Sequence, residues 1–312
     1  MGGEAIATNH KSPNRKTPER ITEQANPPSI AIDTQSTLQI LRLINREDQR
    51  VAAAVRKTLP QIALAVDMAV AAIRSGGRLI YLGSGTSGRL GVLDAAECAP
   101  TFGTDRVVAV LAGAPKSLTS SVEEVEDDSR QAVRDLKKIK LSRRDLLVGI
   151  SASGSAPYVL GGMRYARGLK GKVIGLTCNP EALLKSYADV AIVPVVGPEV
   201  IAGSSRMKAG TAQKLVLNMI STTVMVRLGR VLSGIMINVQ PSNQKLVKRA
   251  EEILVKFTGV SRIKAANALK DSGRNLPVAI LMVLKKISRT EAAKRLGEGT
   301  TVAAVLREAM GK

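Results

Sequence analysis

The spacing of apolar residues changes twice along this 312-residue chain, and each change marks a different kind of structure. Leu38, Leu41 and Ile44 follow Ser36 at helical spacing, and a second helical stretch runs from about Leu59 to Ile73 before Gly76 and Gly77 stop it. From Arg78 the helical period gives way to short runs rich in Val, Ile and Leu, at 78–82, 106–112, 145–150, 172–177 and 190–195. Short apolar runs without polar alternation read as strands buried on both faces. Helical stretches separate them, so the expected fold class is α/β, a three-layer, doubly wound parallel sheet. A long helix from about Ser205 to Leu228 closes this unit, and past Gly234 the strand signal fades. Helical runs at 243–257, 261–271, 275–285 and 289–296, with a last one reaching Met310, predict a small all-helical C-terminal domain. The expected divisions are a flexible N-terminal arm over 1–28, carrying Pro13, Pro18, Pro27 and Pro28, a sheet domain with its leading helices over 29–235, and the helical domain over 236–312.

Composition narrows the chemistry more than the fold. The chain has one histidine, His10, within the polar arm, so a Ser-His-Asp triad or a His-ligated metal is nearly excluded within one chain. Cys98 and Cys178 stand far apart with no metal-ligand spacing, which argues against structural zinc. Proton transfers in an enzyme of this composition fall to carboxylates, Lys or Tyr. Net charge is +20, from 46 Lys and Arg against 26 Asp and Glu, which raises the question of nucleic acid. The excess is concentrated in residues 241–312, with 15 basic against 6 acidic residues, and in a knot of Lys137, Lys138, Lys140, Arg143 and Arg144. Neither region interleaves aromatics for base stacking, so a solvated basic surface is expected and a nucleic-acid partner is not. No apolar run reaches the roughly 18 residues of a membrane span, and residues 1–30 lack the apolar core of a signal peptide. With two unpatterned cysteines, a cytoplasmic location is expected.

Two turns at the ends of expected strands carry the candidate chemistry. In the first, Gly83, Ser84, Gly85, Thr86, Ser87 and Gly88 lead from a strand into a helix. Glycines admit a ligand close to the backbone, and a helix start offers N–H groups and a positive dipole end, which suits a phosphate. No Lys follows the last glycine, so this is not a P-loop, and the spacing does not fit the dinucleotide fingerprint. Taken alone, such a turn is also what tight packing produces. The second, Gly149 to Pro157, places Ser151, Ser153 and Ser155 before another helix, where an ordinary N-cap is the alternative. Open parallel sheets bind ligands beyond their carboxyl edges, so the pair points to one phosphate-bearing small molecule, and the hydroxyls favour a sugar phosphate over a nucleotide.

Carboxylates and a cationic helix start complete the set. Asp94 and Glu97 follow the first turn at helical spacing, on a helix expected to end near Pro100, and Glu123, Glu124, Glu126, Asp127 and Asp128 cluster after Ser120 and Ser121. Glu123 or Glu124 fits a capping box, which leaves Glu126 unneeded for that purpose. Two acids at a phosphorylated sugar supply a general base and a general acid without histidine. Further on, Ser204 or Ser205 is placed to cap the long helix, while Arg206, Lys208 and Lys214 put cations where the dipole disfavours them. A bound anion repairs that mismatch, and side chains bent out to solvent are the alternative.

These residues together resemble a known family. Gly83-Ser-Gly-Thr-Ser-Gly-Arg-Leu-Gly91 with Asp94-Ala-Ala-Glu-Cys98, Glu126-Asp-Asp-Ser129, Ser153-Gly-Ser-Ala-Pro-Tyr-Val159 and the run from Gly203 to Asn218 are similar to the N-acetylmuramic acid 6-phosphate etherases. Thr22-Glu-Gln-Ala-Asn26 also resembles that family's start, and the likeness extends from about residue 21 to the C-terminus. Relatives of the family are the sugar isomerase domains and the glucokinase regulatory protein, so the resemblance implies a sheet of sugar isomerase type. It implies cleavage of the D-lactyl ether at C3 of the muramic sugar by elimination and hydration, giving N-acetylglucosamine 6-phosphate and D-lactate. By motif position Glu97 matches the proton donor to the lactate oxygen, and Glu126 the second catalytic glutamate, expected to be the C2 base. Ser84, Thr86, Ser87, Ser151, Ser153, Ser204, Ser205 and Lys208 are the expected substrate and phosphate contacts. The aldehyde acidifies the C2 proton, so no metal or organic cofactor is implied, and the family's habit is a homodimer.

The sequence departs from the family at Ser155-Ala156, where Arg-Thr is common, and in its basic excess and its N-terminal extension. A non-catalytic sugar-phosphate sensor like the glucokinase regulatory protein is the alternative from another class, but that regulator carries two such sheet domains. An aldose-ketose isomerase shares C2 deprotonation without needing an acid over C3.

Overall fold

The computed structural model describes residues 21–122, 124–241, 243–298 and 301–311. His10, most of the expected arm and Glu123 therefore lie outside the described residues. Two helices lead, α1 (Thr37–Arg56) and α2 (Leu59–Arg74). Ser36 and Gln39 form a reciprocal capping box at α1. The alternating segment follows as β1 (Leu79–Gly83), α3 (Gly85–Phe102), β2 (Val107–Leu111), α4 (Ser129–Lys138), β3 (Leu146–Ile150), α5 (Pro157–Gly168), β4 (Lys172–Leu176) and β5 (Val190–Ile192). The five strands pair in parallel in the order β2-β1-β3-β4-β5. β5 is shorter than its apolar run, which continues through Pro194 to Val195 as loop.

Every residue of β1 and β3 is buried, as strands covered on both faces require. On one face α2, α3 and α6 (Lys208–Arg227) pack around Tyr81, Val148, Ile174, Val216 and Ile220. On the other, α4 and α5 enclose Leu82, Leu136, Leu147, Tyr158 and Met163. α3 runs through Pro100 to Phe102, slightly past its expected end, and closes on Gly103 in the left-handed conformation.

Beyond α6 the chain makes a small hairpin of β6 (Val231–Leu232) and β7 (Ile235–Met236) that the fading strand signal did not predict. Ser233 and Gly234 both have positive φ, the geometry of a two-residue hairpin turn. Five helices follow, α7 (Gln244–Thr258), α8 (Arg262–Asp271), α9 (Leu276–Lys285), α10 (Arg289–Glu298) and α11 (Val302–Ala309), close to the expected runs. They enclose their own apolar core, including Leu254, Leu269, Ile280 and Leu306. Among the described residues, no helix is long and apolar enough to cross a membrane.

Candidate active site

The chain leaves β1 toward β2 on one side and returns to β3 on the other, so the carboxyl ends of β1 and β3 flank the point where strand order reverses. Crevices form at such points because the two following loops diverge. Two adjoining cavities open there, one of about 770 Å³ and an inner one of about 230 Å³. Both are lined by Gly85, Thr86, Glu126, Ser153 and Ser205. Ser84, Ser87 and Ser151 line the inner cavity, while Ser204, Arg206, Arg89, Ser155 and Ala156 line the outer one.

The two turns are built differently from ordinary caps. No side chain caps α3 at Ser84 or α5 at Ala156, so the ordinary N-cap that stood as the alternative for the second turn's serines is not formed. Ser151, Ser153 and Ser155 instead make a relay of hydroxyls, with Oγ atoms 3.4 and 3.1 Å apart, and Ser151 Oγ accepts from the N–H of Gly154. The glycines divide between packing and approach. A Cβ at Gly88 would stand 2.5 Å from the carbonyl oxygen of Gly83, so tight packing explains that position. Gly85, with φ +49°, faces the crevice, and a Cβ there would lie 4.0 Å from Oε2 of Glu126. Glu126 therefore stands over the first residue of α3. Arg89 fixes the loop that carries it, donating from Nε to the carbonyl of Ser117 at 2.8 Å and from Nη2 to that of Ser120 at 2.7 Å.

Asp128, not Glu124, caps α4, its carboxylate accepting from the N–H groups of Arg130 and Gln131. Nor do Ser204 and Ser205 cap the long helix. It begins at Lys208, where the buried carboxylate of Glu199 accepts from the backbone N–H of Lys208 and of Ala209, each at 2.9 Å. Burial pushes the Glu199 carboxyl up, against those two donors and the charge of Lys208. This remote cap leaves both serines on the crevice wall.

Lys208 does not reach the crevice. Its ammonium lies 2.7 Å from Oε2 of Glu47 on α1, both side chains being 1 % exposed. That placement corrects the expectation that Lys208 contacts a phosphate: the cation near the helix start is neutralised from inside the protein. Glu47 also accepts from Asn26, and despite its burial these partners hold its carboxyl below the usual range. Arg206 is the cation of that run which does line the outer cavity.

The two expected acids are not together within one chain. Glu97 is exposed on α3, twelve residues beyond Gly85, or about 18 Å along the axis, and lines neither cavity. Its motif neighbour Asp94 turns inward, accepting from Tyr81 Oη at 2.9 Å, Asn218 Nδ2 at 2.7 Å and Ser221 Oγ at 3.0 Å, which pins α3 to β1 and α6. Burial pushes the thiols of Cys98 and Cys178 up to about 12, which leaves them protonated and unsuited as nucleophiles.

Two residues at the crevice escaped the sequence reading. Glu23 lines the inner cavity, held there by chain that was expected to be loose. Gln213 on α6 accepts from Ser87 Oγ at 3.0 Å, while its buried Nε2 has no hydrogen-bond partner among the described residues. Both lie in stretches that resemble the family, Thr22–Asn26 and Gly203–Asn218, but nothing local marks either as a crevice residue, since Gly203, which ties down the Glu23 segment, and Ser87, which bonds Gln213, lie far away in sequence.

Comparison with known proteins fits this geometry. Residues 61–167 match the model of the glucokinase regulatory protein N-terminal SIS domain. The N-acetylmuramic acid 6-phosphate etherase of Klebsiella aerogenes is 52 % identical over 280 residues, spanning 89 % of this chain and 93 % of that protein. The chain belongs to the N-acetylmuramic acid 6-phosphate etherase family. The etherase 1 of Vibrio cholerae serotype O1 is 50 % identical over 278 residues, covering 88 % of this chain and 93 % of that one. A phosphoheptose isomerase from Francisella tularensis shares the fold with a TM-score of 0.50 at 18 % identity, over 62 % of this chain and all of that chain. The sheet is thus of sugar isomerase type.

Proposed function

We infer that the chain cleaves the D-lactyl ether of N-acetylmuramic acid 6-phosphate by elimination and hydration, releasing N-acetylglucosamine 6-phosphate and D-lactate. The observation that carries this reading is the convergence of two helix starts without side-chain caps, their hydroxyls, and Glu126 on one crevice. A phosphate at the inner cavity takes the place of the missing caps and draws charge-assisted hydrogen bonds from Ser84, Thr86, Ser87, Ser151 and Ser153. Ser205 closes its side, and Ser204 continues that wall into the outer cavity. Gln213 serves this binding if its amide turns over. Nε2 then donates to Ser87 Oγ, and the hydroxyl hydrogen is released toward the anion.

With the phosphate so held, Glu126 is the base that takes the C2 proton of the open-chain aldehyde. The ether oxygen at C3 receives a proton as D-lactate leaves, giving a C2–C3 unsaturated aldehyde. Water then adds at C3 and a proton returns to C2. Glu97 is the acid for the ether oxygen, and it reaches the sugar from a second copy of the chain in a homodimer. What supports that arrangement is its position: about 18 Å from its own helix start, exposed, with Leu93 one turn earlier 53 % exposed on the same helix. Arg206 sets a cation on the wall of the outer cavity for the lactyl carboxylate, across a lining that also holds Arg89, Glu126 and Asp127. The reaction is placed in the cytoplasm, where buried free thiols such as Cys98 and Cys178 persist.

The primary assay is D-lactate release from N-acetylmuramic acid 6-phosphate, and absence of lactate from folded protein overturns the reading. Mixing separates the two ways of supplying the acid. Glu97→Gln and Glu126→Gln are each expected to lose activity by roughly a hundredfold or more. Randomly reassorted dimers of the two variants should regain about a quarter of the activity, because half are mixed and one of their two sites is intact. No recovery places Glu97 and Glu126 in the same chain's site.

A further inference from the structure

A carboxylate at the mouth of a phosphate cradle is electrostatically awkward, since it repels the anion that the surrounding hydroxyls attract. Glu23 occupies that position. It shares the inner cavity with Ser84, Ser151 and Glu126, although it comes from a segment preceding the first helix. The fold commits buried polar groups to holding it there. The carbonyl of Thr22 accepts from the N–H of Gly203 at 2.9 Å, which ties the segment to the loop carrying Ser204 and Ser205. Three residues after Glu23, Asn26 is 4 % exposed, and its Nδ2 donates to Glu47 Oε2 at 3.0 Å and to the carbonyl of Pro198 at 3.1 Å. Glu47 is in turn locked to Lys208, so the Glu23 segment, α1 and the start of α6 share one buried network.

Gly203 provides the room for the carboxylate. Its φ of +77° suits glycine, and a Cβ added there would lie 3.1 Å from Glu23 Oε2. The other oxygen, Oε1, accepts from Thr22 Oγ1 at 3.1 Å, which orients the carboxylate. A carboxylate oriented by Thr22 on one oxygen, with its other oxygen over Gly203 and open to the cavity, stands beside hydroxyls suited to an anion and adds what they lack, a charged acceptor for sugar hydroxyls.

We propose that Glu23 is a specificity-determining residue of the crevice, its carboxylate accepting a hydrogen bond from a hydroxyl of the phosphosugar and discriminating it from phosphate alone. This rests on the reading of the crevice as a phosphosugar site, but not on the etherase reaction. The repulsion disfavours every anion equally, and only a ligand with a correctly placed hydroxyl recovers the loss. Free inorganic phosphate is thereby kept from occupying the cradle.

The two ligands should respond to Glu23→Gln in opposite directions. Calorimetric titration with inorganic phosphate is expected to show tighter binding, by about threefold, because one negative charge is gone. Titration with N-acetylglucosamine 6-phosphate is expected to show weaker binding, by about tenfold, because a charged acceptor is lost. Glu23→Asp retains the charge but withdraws it, so phosphate binding should stay as in the unaltered protein while the sugar phosphate weakens. Parallel weakening of both ligands in Glu23→Gln means that the residue only supports the loop, and unchanged binding of both means that it contacts neither; each result overturns the proposal. These titrations need no turnover, so absence of lactate release would count against the etherase reading and leave this test standing.

Discussion

The helices of the C-terminal unit and those that meet the crevice obey the same rule of helix termination to different degrees. In the helical unit each start is served by a residue close by in sequence. Asn243, Ser261, Asn275 and Thr301 cap α7, α8, α9 and α11, and Ser288 accepts from Glu291 at the start of α10. At the crevice, α3 and α5 have no side-chain cap, and α6 is capped by Glu199 from outside its own turn. The opposite edge of the sheet behaves like the helical unit. Asp145, just before β3, accepts from the backbone and guanidinium of Arg78 and from Ser142, so its charge is fully used. Local capping is thus complete in the helical unit and missing at the two helix starts that open on the crevice, as functional sites commonly require.

The largest effect should come from cutting the buried network that stands behind the crevice. Glu47→Leu leaves Lys208 charged, buried and unpaired, and is expected to cost about 3–5 kcal/mol in denaturant unfolding. Adding Lys208→Met should restore part of that stability. A cost no greater than that of a surface substitution would show that the α/β unit does not depend on remote anchoring in the way the contrast implies.

Polar residues at the two kinds of helix start should separate cleanly. Asn275→Ala and Thr301→Ala each remove a working cap and should cost about 1 kcal/mol with KM unchanged. Ser84→Ala and Ser153→Ala remove no cap and should leave stability intact while raising KM by about tenfold, the worth of a hydrogen bond to a charged group. Equal destabilisation in both sets would return the crevice serines to ordinary capping.

The smallest effect concerns the far edge of the sheet. Although burial opposes it, the bonds from Arg78 and Ser142 hold the Asp145 carboxyl below the usual range. A depressed folded pKa adds stability above the unfolded value of about 3.9 that is lost as pH falls through the folded value. The stability gap between the protein and Asp145→Asn should therefore be widest near neutral pH and shrink below about pH 4. A gap independent of pH means that the ionised form contributes nothing.

Much of this architecture was legible because it rests on short-range periodicity. The buried strands, their order of alternation with helices, the two hydroxyl-bearing turns and the five terminal helices all follow from spacings of a few residues. Glu126 was legible too, as an acid left over once a local cap had been accounted for, even though the cap itself proved to be Asp128. The expected arm over 1–28 was misjudged in its described part, residues 21–28, because polarity and proline signal a lack of local structure only. Thr22 and Asn26 are 2 % and 4 % exposed, held by partners that composition does not reveal.

Sequence by itself determined the layers and the two hydroxyl-bearing turns, since each arises from residues that are neighbours in the chain, whereas the strand order that sets the switch point came from pairings between distant strands. Tertiary structure alone decided what the charged groups do. Lys208 and Glu97 sit in motifs of equal clarity, yet one is sealed against a glutamate 161 positions away and the other faces outward, while Glu23, from a stretch expected to be a loose arm, lines the cavity. A charge carries no period, and its role is set by the dielectric around it and by the partner that folding brings within reach.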